Sequence, residues 1–195
     1  MKESFVELLR NNHPPKEPNV LYITEIVNCP LVSYLEVGAF SFDLLAGTAI
    51  HEWFQNRFVL KDNNWKAEYR IFWEINGYVV VGKIDLLNET GKFLVEIKTG
   101  NFSPSHVLQL RAYLNKFPDF TGFLVYIQKK RGIAYEDAVK VLRISVPLSS
   151  EELALLVDNY ITKKGPPSIE FCSYCSMPCK REEGVLASVW NFEGV

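Results

Sequence analysis

Two hydrophobic rhythms divide this chain. In residues 67 to 87, AEYRIFWEI and YVVVGKIDLL are rich in β-branched and aromatic residues and flank Asn76-Gly77, the dipeptide that favours a type I′ turn. They predict a β-hairpin. Lys92 to Thr99 is a further apolar run, joined to Gly82–Leu87 by the polar link Asn88-Glu89-Thr90-Gly91. The three runs predict an antiparallel meander whose second strand, apolar on both faces, is central. FTGFLVYIQ (120–128) and Ala138 to Val146 read as two more strands.

The helical rhythm fills the intervals. Residues 2 to 10 present Phe5, Val6, Leu8 and Leu9 on one side of a short helix, and Asn11 to Pro18 is a proline-rich loop. Thr24 is expected to cap a short helix that stops near Pro30. Ala46 to Leu60 predicts a helix with Ile50, Trp53, Phe54 and Phe58 as its apolar side. Ser103-Pro104 reads as N-cap and first helical residue of a helix to about Lys116, with Leu108, Ala112 and Leu114 toward the sheet. Strand 120–128 is reached through that helix, which predicts a β-α-β crossover. Ser149-x-x-Glu152 is a capping box opening a helix to about Lys163. The fold class is therefore mixed α/β, with a central mixed sheet flanked by helices and no internal repeats.

Composition narrows the picture only slightly. At 195 residues and 48% hydrophobic, the chain suits one globular domain with a sizeable core. Lys and Arg number 21 and Asp and Glu 23, a net charge of −2, so any affinity for DNA must come from local patches. Lys129-Lys130-Arg131-Gly132 reads as a solvated hairpin tip. No apolar run approaches the roughly 18 residues of a membrane span, and MKESFVELLRNNHPP, with acidic residues and no h-region, does not read as a secretory signal. The expectation is a soluble, cytoplasmic chain without a membrane partner.

Chemistry enters where charges interrupt the strands. Asp85 lies between Ile84 and Leu86, Glu96 between Val95 and Ile97, and Lys98 follows. Alternation puts Glu96 and Lys98 on one face. If Asn88 pairs with Gly91, Asp85 stands opposite Leu94 and diagonal to Glu96, about 7–8 Å away on the same face. Two carboxylates and an ammonium are costly to bury without partners. Either they form an ion-pair ladder on an edge hairpin, or they hold a hard divalent ion suited to phosphate chemistry. His51, one turn before Gln55, is either structural or a further nitrogen ligand. Gln109 and Tyr113 share one side of their helix with His106 nearby, as a polar rim or as groups aimed at water or a phosphate.

The tail, GPPSIEFCSYCSMPCKREEG, holds Cys172, Cys175 and Cys179 in a C-x2-C-x3-C spacing. Cys29 alone would read as a core cysteine; with the other three it completes four thiolates, enough for zinc or an iron–sulfur cluster. It would tie the N-terminal segment to the tail.

Asp85, ten intervening residues, Glu96-Ile97-Lys98, then Gln109-x-x-x-Tyr113 together resemble the RecB-like branch of the PD-(D/E)XK nucleases. His51 in GTAIHEWF fits that branch's histidine motif, and one N-terminal cysteine with three C-terminal ones looks like its iron–sulfur members. The match is best with the CRISPR-associated RecB-like exonuclease family. This resemblance implies a restriction-endonuclease-like core over 40–148, and a cluster lobe built from 20–36 and 165–182, within one nuclease domain spanning 1–195. It implies that His51, Asp85, Glu96 and the Ile97 carbonyl bind Mg²⁺ or Mn²⁺, and that Lys98 positions the attacking water. Gln109 and Tyr113 would contact DNA or hold the site. Cys29, Cys172, Cys175 and Cys179 would hold a [4Fe–4S] cluster, the short final cysteine gap leaving [2Fe–2S] or zinc open. The implied activity is exonucleolytic cutting of single-stranded DNA, often from the 5′ end, to trim spacer precursors beside the CRISPR integrase complex. The rivals are a stand-alone repair, recombination or viral nuclease, and a DNA-binding adaptor without catalysis.

Overall fold

The computed structural model describes residues 17–31, 42–128, 134–175 and 183–190. The helix expected over 2–10, most of the loop at 11–18, the cationic turn at 129–132 and Cys179 lie outside the described residues.

The Asn76-Gly77 signal holds. Strands β1 (Val20–Tyr22), β2 (Trp65–Ile75) and β3 (Tyr78–Asn88) come first, and both residues of the β2–β3 turn have positive φ, 52° and 80°. Next come β4 (Phe93–Lys98), β5 (Thr121–Ile127) and β6 (Val139–Ile144). Among the described residues these six strands form one mixed sheet in the order β1-β3-β4-β5-β6, with β2 also on β3. β3 is central as expected. It pairs antiparallel with β2 from Tyr78 to Asn88, parallel with β1 at Val79–Val81, and antiparallel with β4 at Leu86–Asn88. β4 and β5 run parallel and β6 is antiparallel to β5, so the predicted crossover is present.

The helices are α1 (Ile23–Ile26), α2 (Phe42–Lys61), α3 (Pro104–Lys116), α4 (Tyr135–Ala138), α5 (Ser150–Thr162) and α6 (Glu170–Ser173). Ser103 caps α3 through the Ser105 amide, and Ser149 and Glu152 close the capping box of α5. The N-cap of α1 is Tyr22 rather than Thr24. The β-α turn is tighter than expected, so Thr24 falls inside the helix, where its carbonyl accepts from the Asn28 side-chain Nδ2 at 2.6 Å.

Two apolar cores sandwich the sheet. The larger joins Val107, Leu108, Leu110, Ala112 and Leu114 of α3 to Leu153, Leu156 and Val157 of α5 and to Ile84, Leu87, Leu94 and Leu124 of the sheet. Leu86, Val95 and Ile97 belong to a second cluster with Phe54 and Val59 of α2. Each fully buried leucine removes enough apolar surface for about 2 kcal/mol.

The β3–β4 register differs from the expected one. Leu86 faces Val95, Leu87 faces Leu94 and Asn88 faces Phe93, so Leu94 is not the partner of Asp85. β3 continues through Asn88, whose Oδ1 accepts the Gly91 amide at 2.7 Å, and residues 89–92 form the turn with Lys92 at φ 56°. The shift is two residues, which preserves the faces.

Candidate active site

Asp85 stands where the regularity of β3 breaks. Ile84 and Leu87 both belong to the larger core although three residues apart, so the in-out alternation slips between them. Glu68, across β2 between the pairs Ala67–Leu86 and Tyr69–Ile84, takes a left-handed φ of 55°. Such strain in a charged residue requires support. The Glu68 carboxylate accepts from Gln55 Nε2 at 2.7 Å and pairs with Lys83. The slip coincides with the end of the paired β3–β4 ladder. Beyond it the Ile97 amide donates at 2.7 Å to Asp85 Oδ2 instead of to a backbone carbonyl.

Glu96 is the centre of the polar cluster. It is 3% exposed, and its Oε1 accepts from both Lys98 Nζ and Gln109 Nε2, each at 2.8 Å. Gln109 Oε1 accepts from Lys98 Nζ at 2.8 Å, closing a three-membered ring of side chains. The second hydrogen of Gln109 Nε2 goes to the Tyr113 hydroxyl at 2.8 Å, and that hydroxyl donates to the Lys83 carbonyl at 3.0 Å. The amide of Gln109 is thus fully used, which fixes its orientation. Burial pushes the Glu96 carboxyl up to about 7 and the Asp85 charge adds to this, while Lys98 pulls it partly back. Burial likewise raises the Tyr113 hydroxyl well above its ordinary value.

His51 is brought to the same place. Its Nδ1 lies 3.5 Å from Asp85 Oδ2. Gly47, one turn earlier in α2, lets the helix approach the end of β4, since a Cβ there would stand 2.9 Å from Thr99 Oγ1. Three glycine and helix positions that sequence reasoning passed over matter here. Gln55, 5% exposed and one turn after His51, anchors α2 to Glu68. Gly82 leaves the space filled by the Tyr113 ring, because a Cβ would meet Tyr113 Cε1 at 2.8 Å. The signals were present: i+4 spacing for Gln55, and glycines within otherwise regular elements for Gly47 and Gly82.

One nitrogen and two carboxylates suit a hard divalent cation. Glu96 Oε2 is buried and has no hydrogen-bond partner, a position costly to keep unless an ion or water satisfies it. Among the described residues, no three His, Cys, Asp or Glu side chains form a closed metal-holding group. The donor set fits such an ion in chemistry; it is not a preformed cage.

Cys29, Cys172 and Cys175 are each half-buried, and Cys179 lies outside the described residues. α1, three residues before Cys29, and α6, which contains Cys172, both pack on α3. Arg111 on α3 is buried among backbone carbonyls, donating to Val146 at 3.2 Å, Pro147 at 3.4 Å and Ser188 at 3.5 Å. Ser188 Oγ in turn donates to Glu170 of α6 at 2.9 Å. The tail is therefore bonded to the helix that carries Gln109 and Tyr113. No described helix is long and apolar enough to cross a membrane.

No protein-family profile matches the chain. The CRISPR-associated exonuclease Cas4 of Saccharolobus solfataricus is 30% identical over 182 residues, 82% of this chain and 86% of that protein. The crystal structure of SSO0001 is similar with a TM-score of 0.68 and 25% identity, covering 92% of this chain and 95% of the other. An alkaline exonuclease from Laribacter hongkongensis is similar with a TM-score of 0.47 and 12% identity, over 84% of this chain and 90% of its own. At 30% identity over 82% of this chain and 86% of the Saccharolobus protein, the chain belongs to the family of CRISPR-associated Cas4 exonucleases.

Proposed function

We propose that the chain is a Mg²⁺- or Mn²⁺-dependent exonuclease that hydrolyses phosphodiester bonds of single-stranded DNA from the 5′ end. Its role would be to trim spacer precursors beside the CRISPR integrase complex in the cytoplasm. The observation that carries this reading is Glu96, with one oxygen shared by Lys98 and Gln109 and the other buried and unsatisfied beside Asp85.

His51, Asp85 and Glu96 would hold the cation, with the Ile97 carbonyl as a further ligand. A bound divalent ion supplies charge neutralisation for the phosphate and a lowered pKa for coordinated water. The remaining work belongs to the chain. Lys98, fixed by Glu96 and Gln109, keeps its ammonium aimed at the charge that builds on the phosphate oxygens as water attacks phosphorus and the P–O bond to the leaving strand breaks. Gln109 prevents Lys98 and Glu96 from collapsing into an isolated ion pair, because it bonds to both. Tyr113 holds Gln109 and reaches back to β3, so the helix and the sheet keep one spacing. Asp85 ties its carboxylate to the Ile97 amide, which orders the segment carrying Lys98.

Cys29, Cys172, Cys175 and Cys179 would hold a [4Fe–4S] cluster, with [2Fe–2S] or zinc as alternatives. Packing of α1 and α6 on α3 supports a structural role that closes the two ends of the chain.

The test is digestion of single strands labelled at either end, with Mn²⁺ or with EDTA. Release of short labelled products from the 5′ end only, in Mn²⁺ only, is the expected result. Release from the 3′ end would reverse the polarity, and cleavage unchanged in EDTA would overturn the metal-dependent reading.

A further inference from the structure

Beyond Lys98 the cluster of charged side chains gives way to aromatic rings. Tyr126 of β5 is the cross-strand partner of Lys98, and its hydroxyl lies 2.7 Å from His106 Nδ1. Phe102 packs on Tyr126 with ring centroids 5.8 Å apart, and on Trp190 at 5.5 Å with nearly parallel planes, 19°. Tyr174 packs on Phe102 at 6.0 Å. Tyr126, Phe102 and Tyr174 thus form a row leading away from the strand position beside Lys98, with Trp190 stacked on Phe102 at its side. They come from three separate parts of the chain: the loop before α3, the strand β5 and the tail.

The row changes from buried to open along its length. Tyr126 is 7% exposed, whereas Tyr174 is 59% exposed, more than any other described aromatic ring. Tyr174 is therefore a ring supported behind by Phe102 and open toward solvent, two ring contacts away from the residue that partners Lys98. A large amphipathic ring packed against another ring and open on its other side leaves apolar area in contact with water. Rings held in this way are what unpaired nucleobases stack on, since every base has a π face whatever its sequence.

We propose that Tyr174, backed by Phe102 and Trp190, is a stacking platform for an unpaired base of the single strand being cut, one or two nucleotides from the phosphate at Lys98. This rests on the nuclease reading for the identity of the strand, and deepens it. The ligand is a base in a single strand; a base inside a duplex has both faces covered by its stacked neighbours. The same geometry gives the tail a part in substrate binding, because Tyr174 stands between Cys172 and Cys175.

The test is a cycle between ring and base, read as binding of a fluorescent oligothymidylate in EDTA. Strands carrying one abasic nucleotide at successive positions are compared with the intact strand, for wild type, Tyr174→Leu and Tyr174→Phe. Tyr174→Leu keeps an apolar contact with Phe102 and removes the π face. It should weaken binding of the intact strand about tenfold. One abasic position should weaken wild type by a similar factor and leave Tyr174→Leu no weaker, and Tyr174→Phe should bind like wild type. Equal abasic penalties in wild type and Tyr174→Leu, intact-strand binding by Tyr174→Leu at the wild-type level, or tighter binding of blunt duplex than of single strand would each overturn the platform. Cleavage in Mn²⁺ is scored separately, so a protein that shows the cycle but hydrolyses nothing would sink the nuclease reading and leave the platform standing.

Discussion

The Asp85 carboxylate accepts the Ile97 amide hydrogen at 2.7 Å, across the point where β3 and β4 stop pairing. A side chain thus does what a ladder carbonyl does elsewhere in the sheet, and the two strands can part without leaving a buried donor unsatisfied. The gap this opens is where Glu96, Lys98 and His51 gather.

On the proposed reading, Asp85 has a second job beside this one, and the two are separable. Asp85→Ala should orphan the Ile97 amide and lower unfolding free energy by about 1–3 kcal/mol in addition to removing activity. Asp85→Asn keeps an acceptor oxygen and should retain most of the stability while activity is lost. Urea denaturation alongside nuclease assay separates the two; equal stability of the two variants would contradict the structural job.

Gly82 is expected to be intolerant of even a methyl group. A Cβ would meet Tyr113 Cε1 at 2.8 Å, Ile71 Cγ1 at 3.0 Å and the Trp73 ring at 3.1 Å. Gly82→Ala should cost about 1–3 kcal/mol by overpacking. It should also lower kcat, because the displaced Tyr113 hydroxyl releases Gln109. A variant with wild-type melting temperature and kcat would show that the Tyr113 position does not matter.

Arg111 should resist replacement by lysine. Its guanidinium serves three carbonyls from two segments, a geometry that an ammonium cannot copy, and it lies 3.6 Å from Glu152. Arg111→Lys should lower stability by about 2–4 kcal/mol through unsatisfied buried carbonyls. Limited proteolysis should then cut the tail first. Uniform loss of protection across the chain would argue against a role centred on the tail.

Two groups shielded from water, His106 in part and Glu96 almost wholly, should bend the pH profile of the metal-free protein in opposite directions. Burial, with Lys98 nearby, lowers His106 to about 3, so its folded state binds fewer protons than the unfolded chain between pH 6.5 and 3. That contribution is present above pH 6.5 and is lost as pH falls. Glu96, raised from 4.5 to about 7, binds more protons when folded, so its contribution is present below pH 4.5 and is lost as pH rises through 7. In EDTA, His106→Gln should flatten the acid side of a melting-temperature profile, and Glu96→Gln should flatten the fall between pH 4.5 and 7. Profiles unchanged by either substitution would contradict the assigned burial.

Much of the site was legible because its chemistry is written in residues that strands do not otherwise bury. Asp85, Glu96 and Lys98 stood out against apolar neighbours, and period two placed Glu96 with Lys98. The ring of contacts among Glu96, Lys98 and Gln109 follows from Gln109 and Tyr113 sharing one side of α3. The register was displaced by two because turn length depends on Asn88 capping its own turn, a side-chain choice that composition does not reveal. The slip at Asp85 and the strain at Glu68 were invisible for the same reason: alternation arguments assume unbroken strands. Tyr22 replaced Thr24 as N-cap because β1 runs directly into α1, with no residue to spare. The aromatic row was out of reach, since Phe102, Tyr126, Tyr174 and Trp190 are scattered through the sequence and only the fold collects them.

The most direct trial is single-turnover cleavage of a single strand in Mn²⁺ by wild type, Glu96→Gln and Lys98→Ala, each checked for an unchanged fold by circular dichroism. Wild type should cleave, and both variants should lose about 10²-fold or more. Folded variants that cut within a few-fold of wild type would show that the Glu96–Lys98–Gln109 cluster holds the fold together and leaves hydrolysis to other residues.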